Sequence, residues 1–121
     1  MYSPQVLDHF EHPRNSGSIA EPDASVQLQN PACGDVLKLT LKLAGGRIQD
    51  IRFLAKGCVP SIACASALTE LVRGKSPAAA REIGKEQLMS AVGGLPSASR
   101  HASHLAIDAL DALLNQLAAK I

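Results

Sequence analysis

The sequence predicts an α+β fold: a three-stranded antiparallel sheet with helices packed on one side, preceded by a short N-terminal helix. Three observations carry this expectation. Leu37, Leu39, Leu41 and Leu43 alternate with Lys38, Thr40 and Lys42, the period-two pattern of a strand buried on one face and wet on the other. Ala44-Gly45-Gly46-Arg47 then supplies residues tolerant of a hairpin turn, and Ile51 and Phe53 resume period two as far as Ala55. Towards the C-terminus, Ala102, Leu105, Ala106, Ala109, Leu110, Leu113 and Leu117 advance by three and four residues, which makes one continuous apolar stripe along a helix. Strands first and helices afterwards point to segregated α+β layers.

Each element has its own local signals. Ser3-Pro4 is an N-cap followed by proline at the first helical position, and Val6, Leu7 and Phe10 recur at helical spacing until Pro13 stops the turn. Residues 14–23 are rich in Asn, Ser, Gly and Pro and read as loop. Val26 and Leu28 alternate with polar neighbours, which predicts a first strand over 25–30. The second and third strands are expected at 35–43 and 47–55, completing a meander. From Ser61 to Arg73 the pattern turns helical and ends at Gly74, while Ser76-Pro77 opens a short helix in an alanine-rich stretch. With the C-terminal helix, three helices are expected after the sheet. No internal repeat, linker or low-complexity segment interrupts the chain.

At 121 residues the chain fits one domain, residues 1–121, large enough for a single core. Hydrophobic residues make up 46% and aromatic ones only 2%, so the core is built from Leu, Ile, Val and Ala. Twelve basic and eleven acidic residues leave a formal net charge of +1, with no basic run or interleaved aromatics to neutralise phosphates and stack bases. Nucleic acid is therefore not an expected partner. No stretch approaches the roughly 18 uninterrupted apolar residues of a membrane span, and the N-terminus lacks the basic-then-apolar pattern of a signal peptide. A cytoplasmic protein without a membrane partner is expected. Three cysteines cannot all pair within one chain, and a reducing compartment keeps them as thiols available for metal or sulfur chemistry.

Cys33 and Cys58 each occupy a glycine-marked turn, in Pro31-Ala32-Cys33-Gly34-Asp35 and Gly57-Cys58-Val59-Pro60. Glycine lets the backbone come close to a ligand, and the turn aims a short side chain at one spot. In a hairpin of strands 35–43 and 47–55, the start of the first lies beside the end of the second, so antiparallel pairing brings both cysteines to one edge of the sheet. Cys58 also precedes a helix N-terminus, which favours the negative charge of a thiolate. Asp35 offers an oxygen ligand or caps a turn. His101, at the start of the last helix, is about 100° around the wheel from Ala102, on the margin of the apolar stripe, and could face either way. His104 is about 160° from Ala102, on the polar side with Asp111, so His101 and His104 do not read as a paired-ligand motif. Cys64 shares the inner stripe of its helix with Leu68, Leu71 and Val72 and reads as a packed structural thiol, with a ligand or resolving thiol as the lesser alternative. His9 and His12 flank the end of the first helix, where a cation complements the helix dipole, and need no further role.

Taken together, the residues resemble the IscU and NifU N-terminal family of iron–sulfur cluster assembly scaffolds over nearly the whole chain. The pieces that carry the resemblance are Asp8-His9 with His12-Pro13-Arg14-Asn15 and Gly17, Pro31-Ala32-Cys33-Gly34-Asp35, Lys56-Gly57-Cys58 with Ile62-Ala63, Gly74-Lys75-Ser76, and Leu95-Pro96 followed by His101, Ser103, Leu105-Ala106 and Asp108-Ala109. The resemblance implies the sheet-and-helices fold already read from the pattern. It also implies that Cys33, Asp35, Cys58 and His101 bind zinc, iron or a nascent cluster of the [2Fe-2S] type. The implied partners are a cysteine desulfurase and recipient apo-proteins.

Two departures stand out. The third family cysteine would follow the histidine directly, and here that position is Ala102; it looks like the family's main acceptor of sulfur from the desulfurase, and alanine cannot carry a persulfide. The segment Leu95-Pro96-Ser97-Ala98-Ser99 keeps only the first two residues of the family's Leu-Pro-Pro-Val-Lys, the element read by an Hsp70-type chaperone, which makes that partner doubtful here. The leading expectation is a non-enzymatic scaffold or carrier of iron or a transient cluster. One alternative is a degenerate paralogue that binds zinc or no metal and regulates the desulfurase or assembly machinery; another is a thiol redox protein using Cys58 and Cys64.

Overall fold

The computed structural model describes residues 2–30 and 34–119. Helix α1 (Pro4–Glu11) leads into strands β1 (Ala24–Gln29), β2 (Val36–Ala44) and β3 (Arg47–Lys56), followed by helices α2 (Val59–Val72), α3 (Pro77–Arg81), α4 (Lys85–Ala91) and α5 (His101–Ala119). The sheet is an antiparallel meander in the order β1-β2-β3. On its inner face Leu39 pairs with Phe53 and Leu41 with Ile51, and all four are buried beneath α2 and α5. Gly45 and Gly46 both have positive φ, at +60° and +76°, as the tight turn between β2 and β3 requires. The register then shifts between Lys42 and Leu43.

The expected wet face of β2 is not entirely wet. Thr40 is buried, because the loop after α1 folds back over it and the Ile19 N–H donates to Thr40 Oγ1 at 3.1 Å. The same loop runs beside β3: Phe53 N–H donates to the Asn15 carbonyl at 3.0 Å and Gly17 N–H to the Phe53 carbonyl at 2.8 Å. At Phe53 the edge of β3, which would otherwise invite pairing with another chain, is thereby occupied. At the other edge, Gln116 of α5 bonds both the N–H and the carbonyl of Ser25, at 2.7 and 3.0 Å.

Helix α2 starts two residues before the expected Ser61. Pro60 falls in its first turn, where a missing N–H costs nothing because that donor has no partner inside the helix. Helix α4 was not foreseen, so among the described residues four α-helices follow the sheet instead of three. Its seven residues bury only Leu88, too little to give a readable period. The stripe expected on α5 is buried throughout, from Ala102 to Leu117.

Helix α1 is rolled relative to expectation. Ser3 caps it, accepting the Val6 N–H at 3.0 Å, but Val6 and His9 face inward while Leu7 and Phe10 remain exposed. Val6 and His9 are neighbours on the helix surface at three-residue spacing, and α2 meets them with a hydroxyl: His9 Nδ1 is 2.8 Å from Ser66 Oγ. His9 is thus a packing residue and not merely a cation at a helix end.

Burial, aided by the Arg14 guanidinium, pushes the His9 imidazole below its ordinary value of 6.5, against the opposing pull of Glu70 and Asp8. The unfolded chain therefore takes up a proton more readily than the fold. The stability contributed by neutral His9 is complete above about pH 6.5 and is lost as pH falls below it through the folded value. Thermal unfolding followed from about pH 7.5 down to about pH 5 should show this as a falling midpoint, and His9→Gln should make the fall shallower.

Candidate metal centre

Two features of the fold converge at one end of the β2–β3 hairpin. Val36 pairs with Lys56, so Asp35, one residue before the start of β2, lies beside Cys58, two residues after the end of β3. Cys58 is the N-cap of α2. The first residue of α5, His101, meets them from the opposite layer. Asp35, Cys58 and His101 each offer a ligand atom within 4.8 Å of the other two.

Asp35 is buried to 4% exposure and held at both oxygens. Oδ1 accepts the Cys58 backbone N–H at 3.3 Å. Oδ2 accepts the Ser61 hydroxyl at 2.5 Å and the Cys58 thiol at 3.1 Å. The backbone behind it is closed by the Asn30 N–H donating to the Asp35 carbonyl at 2.8 Å. Gly57 makes the approach possible. Its φ is +149°, and a Cβ built there would stand 2.1 Å from Asp35 Oδ1 and 2.5 Å from the carboxyl carbon.

His101 is oriented by the 3₁₀ turn before it, Ser97–Ser99. Its Nδ1 lies 3.2 Å from the Ala98 carbonyl; a carbonyl only accepts, so Nδ1 carries a proton and Nε2 is the nitrogen turned towards the centre. From there Nε2 is 3.5 Å from Asp35 Oδ2 and 3.8 Å from Cys58 Sγ. A second-sphere carbonyl that sets the tautomer and ring angle is the usual support for a metal-binding histidine. The question left open by the helical wheel is answered: His101 faces the centre.

The three separations suit a single ion. A tetrahedral site with bonds of about 2.0 Å to nitrogen and oxygen and about 2.3 Å to sulfur keeps its ligand atoms about 3.3 to 3.6 Å apart. The observed 3.1, 3.5 and 3.8 Å bracket that range. A thiolate, an imidazole and a carboxylate together suit zinc or iron. Cys33, the remaining expected ligand, lies outside the described residues.

Other residues weighed from sequence fall elsewhere. His104 is exposed, with Nδ1 3.1 Å from Lys85 Nζ, and is not part of the cluster. Cys64 is buried in the core, where burial and then Cys58 push its thiol up to about 12. It is a neutral packed thiol, as its inner-stripe position suggested, and the thiolate a redox role would need is disfavoured. Ala102 is buried against the core. Ser61 was missed, although a hydroxyl three residues into a helix capped by a cysteine shares that cysteine's face. Among the described residues no helix is long and apolar enough to cross a membrane.

A three-stranded meander with helices on one face, carrying an Asp, Cys and His set where strand ends meet helix starts, defines the class of domain to which this chain corresponds. The chain belongs to the NifU-like N terminal domain family, whose model matches residues 1–121. It is 43% identical over 110 residues to the iron-sulfur cluster assembly scaffold protein IscU 1 of Archaeoglobus fulgidus, covering 91% of this chain and 72% of that protein. With the scaffold protein IscU of Haemophilus influenzae it shares 41% identity over 123 residues, covering 98% and 97% of the two chains. The crystal structure of a nitrogen-fixing NifU-like protein (N-terminal) from Brucella abortus superposes with a TM-score of 0.80 at 24% identity, over 98% of this chain and 95% of that one, a likeness of fold.

Proposed function

We propose that this chain is a scaffold or carrier in iron–sulfur cluster assembly, holding iron or a transient [2Fe-2S] cluster as cargo through Cys33, Asp35, Cys58 and His101. The carrying observation is the convergence of Asp35, Cys58 and His101 within 4.8 Å, in a chain whose relatives are named as such scaffolds. Two thiolates with one carboxylate and one imidazole bind iron less tenaciously than four thiolates, and mixed cysteine and histidine ligation of a [2Fe-2S] centre is chemically attested. A set of that kind suits cargo that must leave again. The same four ligands also accommodate zinc. Ala102 offers no sulfur atom, so carrying a formed cluster or its iron asks less of this chain than accepting sulfur at that position. The role is binding and transfer without turnover of a small substrate, and the partners are a cysteine desulfurase and apo-proteins that receive the cluster.

Anaerobic reconstitution with ferrous iron and sulfide tests this reading. Visible sulfur-to-iron charge-transfer absorption is expected in the wild-type chain and should be absent in Cys58→Ala and Cys33→Ala. A colourless wild-type product would overturn it.

A further inference from the structure

We propose that Ser61 is a positioning residue of this centre, and that its hydroxyl hydrogen-bonds the Cys58 sulfur once that sulfur is a metal-bound thiolate. Ser61 has this part only if the centre carries metal, as proposed above.

Ser61 is buried to 5% exposure. It sits one turn into α2 from the N-cap, with its backbone N–H on the Cys58 carbonyl at 3.1 Å. Its Oγ is 2.5 Å from Asp35 Oδ2 and 3.2 Å from Cys58 Sγ. A hydroxyl has one proton to give. While Cys58 is a thiol, its S–H points at Asp35 Oδ2, the sulfur needs no donor, and the Ser61 proton goes to the same carboxylate oxygen. With Oδ1 on the Cys58 N–H, the carboxylate is then pinned at both oxygens.

Metal binding changes the demand. The thiol proton leaves to solvent as the sulfur–metal bond forms, and the sulfur becomes an acceptor. Ser61 Oγ already stands within hydrogen-bonding reach of that sulfur and can share its proton between sulfur and carboxylate without moving the backbone. A hydrogen bond to a ligating sulfur draws charge from it, one of the protein's levers on the electronics of a cluster. A buried hydroxyl is costly to bury without a partner, and here its partners are two of the proposed ligands.

Titration with Co²⁺, followed by absorption, separates the outcomes for wild type, Ser61→Ala and Ser61→Thr. Alanine favours a helix more than serine does, and matching far-UV circular dichroism confirms that the variant is folded. Ser61→Ala is expected to bind Co²⁺ about 10- to 100-fold more weakly. Its sulfur-to-cobalt charge-transfer band should also move to longer wavelength, because the sulfur lone pairs lose the stabilising proton. Ser61→Thr keeps the hydroxyl and should restore the band position, which a purely structural role would not do. If the wild type binds Co²⁺ through Cys58 and Ser61→Ala matches it in affinity and spectrum, Ser61 has no such role and the carrier reading stands. If the wild type takes up no Co²⁺ in a Cys58-dependent way, both fall.

Discussion

Gly57→Ala is expected to dismantle the centre and destabilise the fold together. The added methyl would need to occupy space 2.1 Å from Asp35 Oδ1, and the φ of +149° is one that side-chain-bearing residues rarely adopt. Asp35 has nowhere to retreat. It is buried, its other oxygen is bonded to Ser61, and its own backbone carbonyl is tied to Asn30. Overpacking and a forced backbone conformation each cost of order 1 to 3 kcal/mol, so a loss of about 3 kcal/mol is expected in chemical denaturation. Metal binding should fall further than stability does, because the methyl lands on the carboxylate itself. By contrast, Gly34 has positive φ but open space around the position of a Cβ. Gly34→Ala should therefore show only the backbone penalty.

His101→Ala is the second large effect. It removes the Nε2 nitrogen that stands 3.5 Å from Asp35 Oδ2 and 3.8 Å from Cys58 Sγ. Loss of a supporting residue around a metal ligand typically lowers affinity about 10- to 100-fold, and loss of a ligand should exceed that in competition with a chromophoric chelator for zinc. The apo fold should barely notice, because the imidazole is partly exposed and α5 is held by its buried stripe from Ala102 to Leu117. His104→Ala, one turn further along the same helix, serves as the control. Its imidazole contacts Lys85 on the surface, and zinc affinity should be unchanged.

The parts legible in the sequence were those governed by local repeats. Alternating leucines in β2, the paired glycines of the turn and the three-and-four spacing of α5 each report a backbone period, and burial enforces that period. Antiparallel pairing also made legible that the start of β2 and the end of β3 share one edge, as Val36 opposite Lys56 shows, whereas whether Asp35 offers a ligand oxygen or caps a turn was open from sequence. What escaped were relations between elements with no shared period. Thr40 is buried because a loop of irregular sequence covers it. His9 faces inward because Ser66, on another helix, offers a hydroxyl. The direction of His101 is set by the carbonyl of Ala98, and backbone carbonyls leave no trace in residue identity. Helix α4 presents a single buried leucine, too little for a pattern. Cys33 was read from its glycine-marked turn and lies outside the described residues, so its place in the ligand set belongs to the proposal.

The centre itself is most directly tested by iron and acid-labile sulfide per chain in protein isolated without oxygen, wild type beside Cys58→Ala. The wild-type chain should retain iron and sulfide in comparable amounts, and both should be missing from the variant. Wild-type protein holding neither, or a variant holding as much of each as the wild type, would contradict a cargo site built on Cys58, Asp35 and His101.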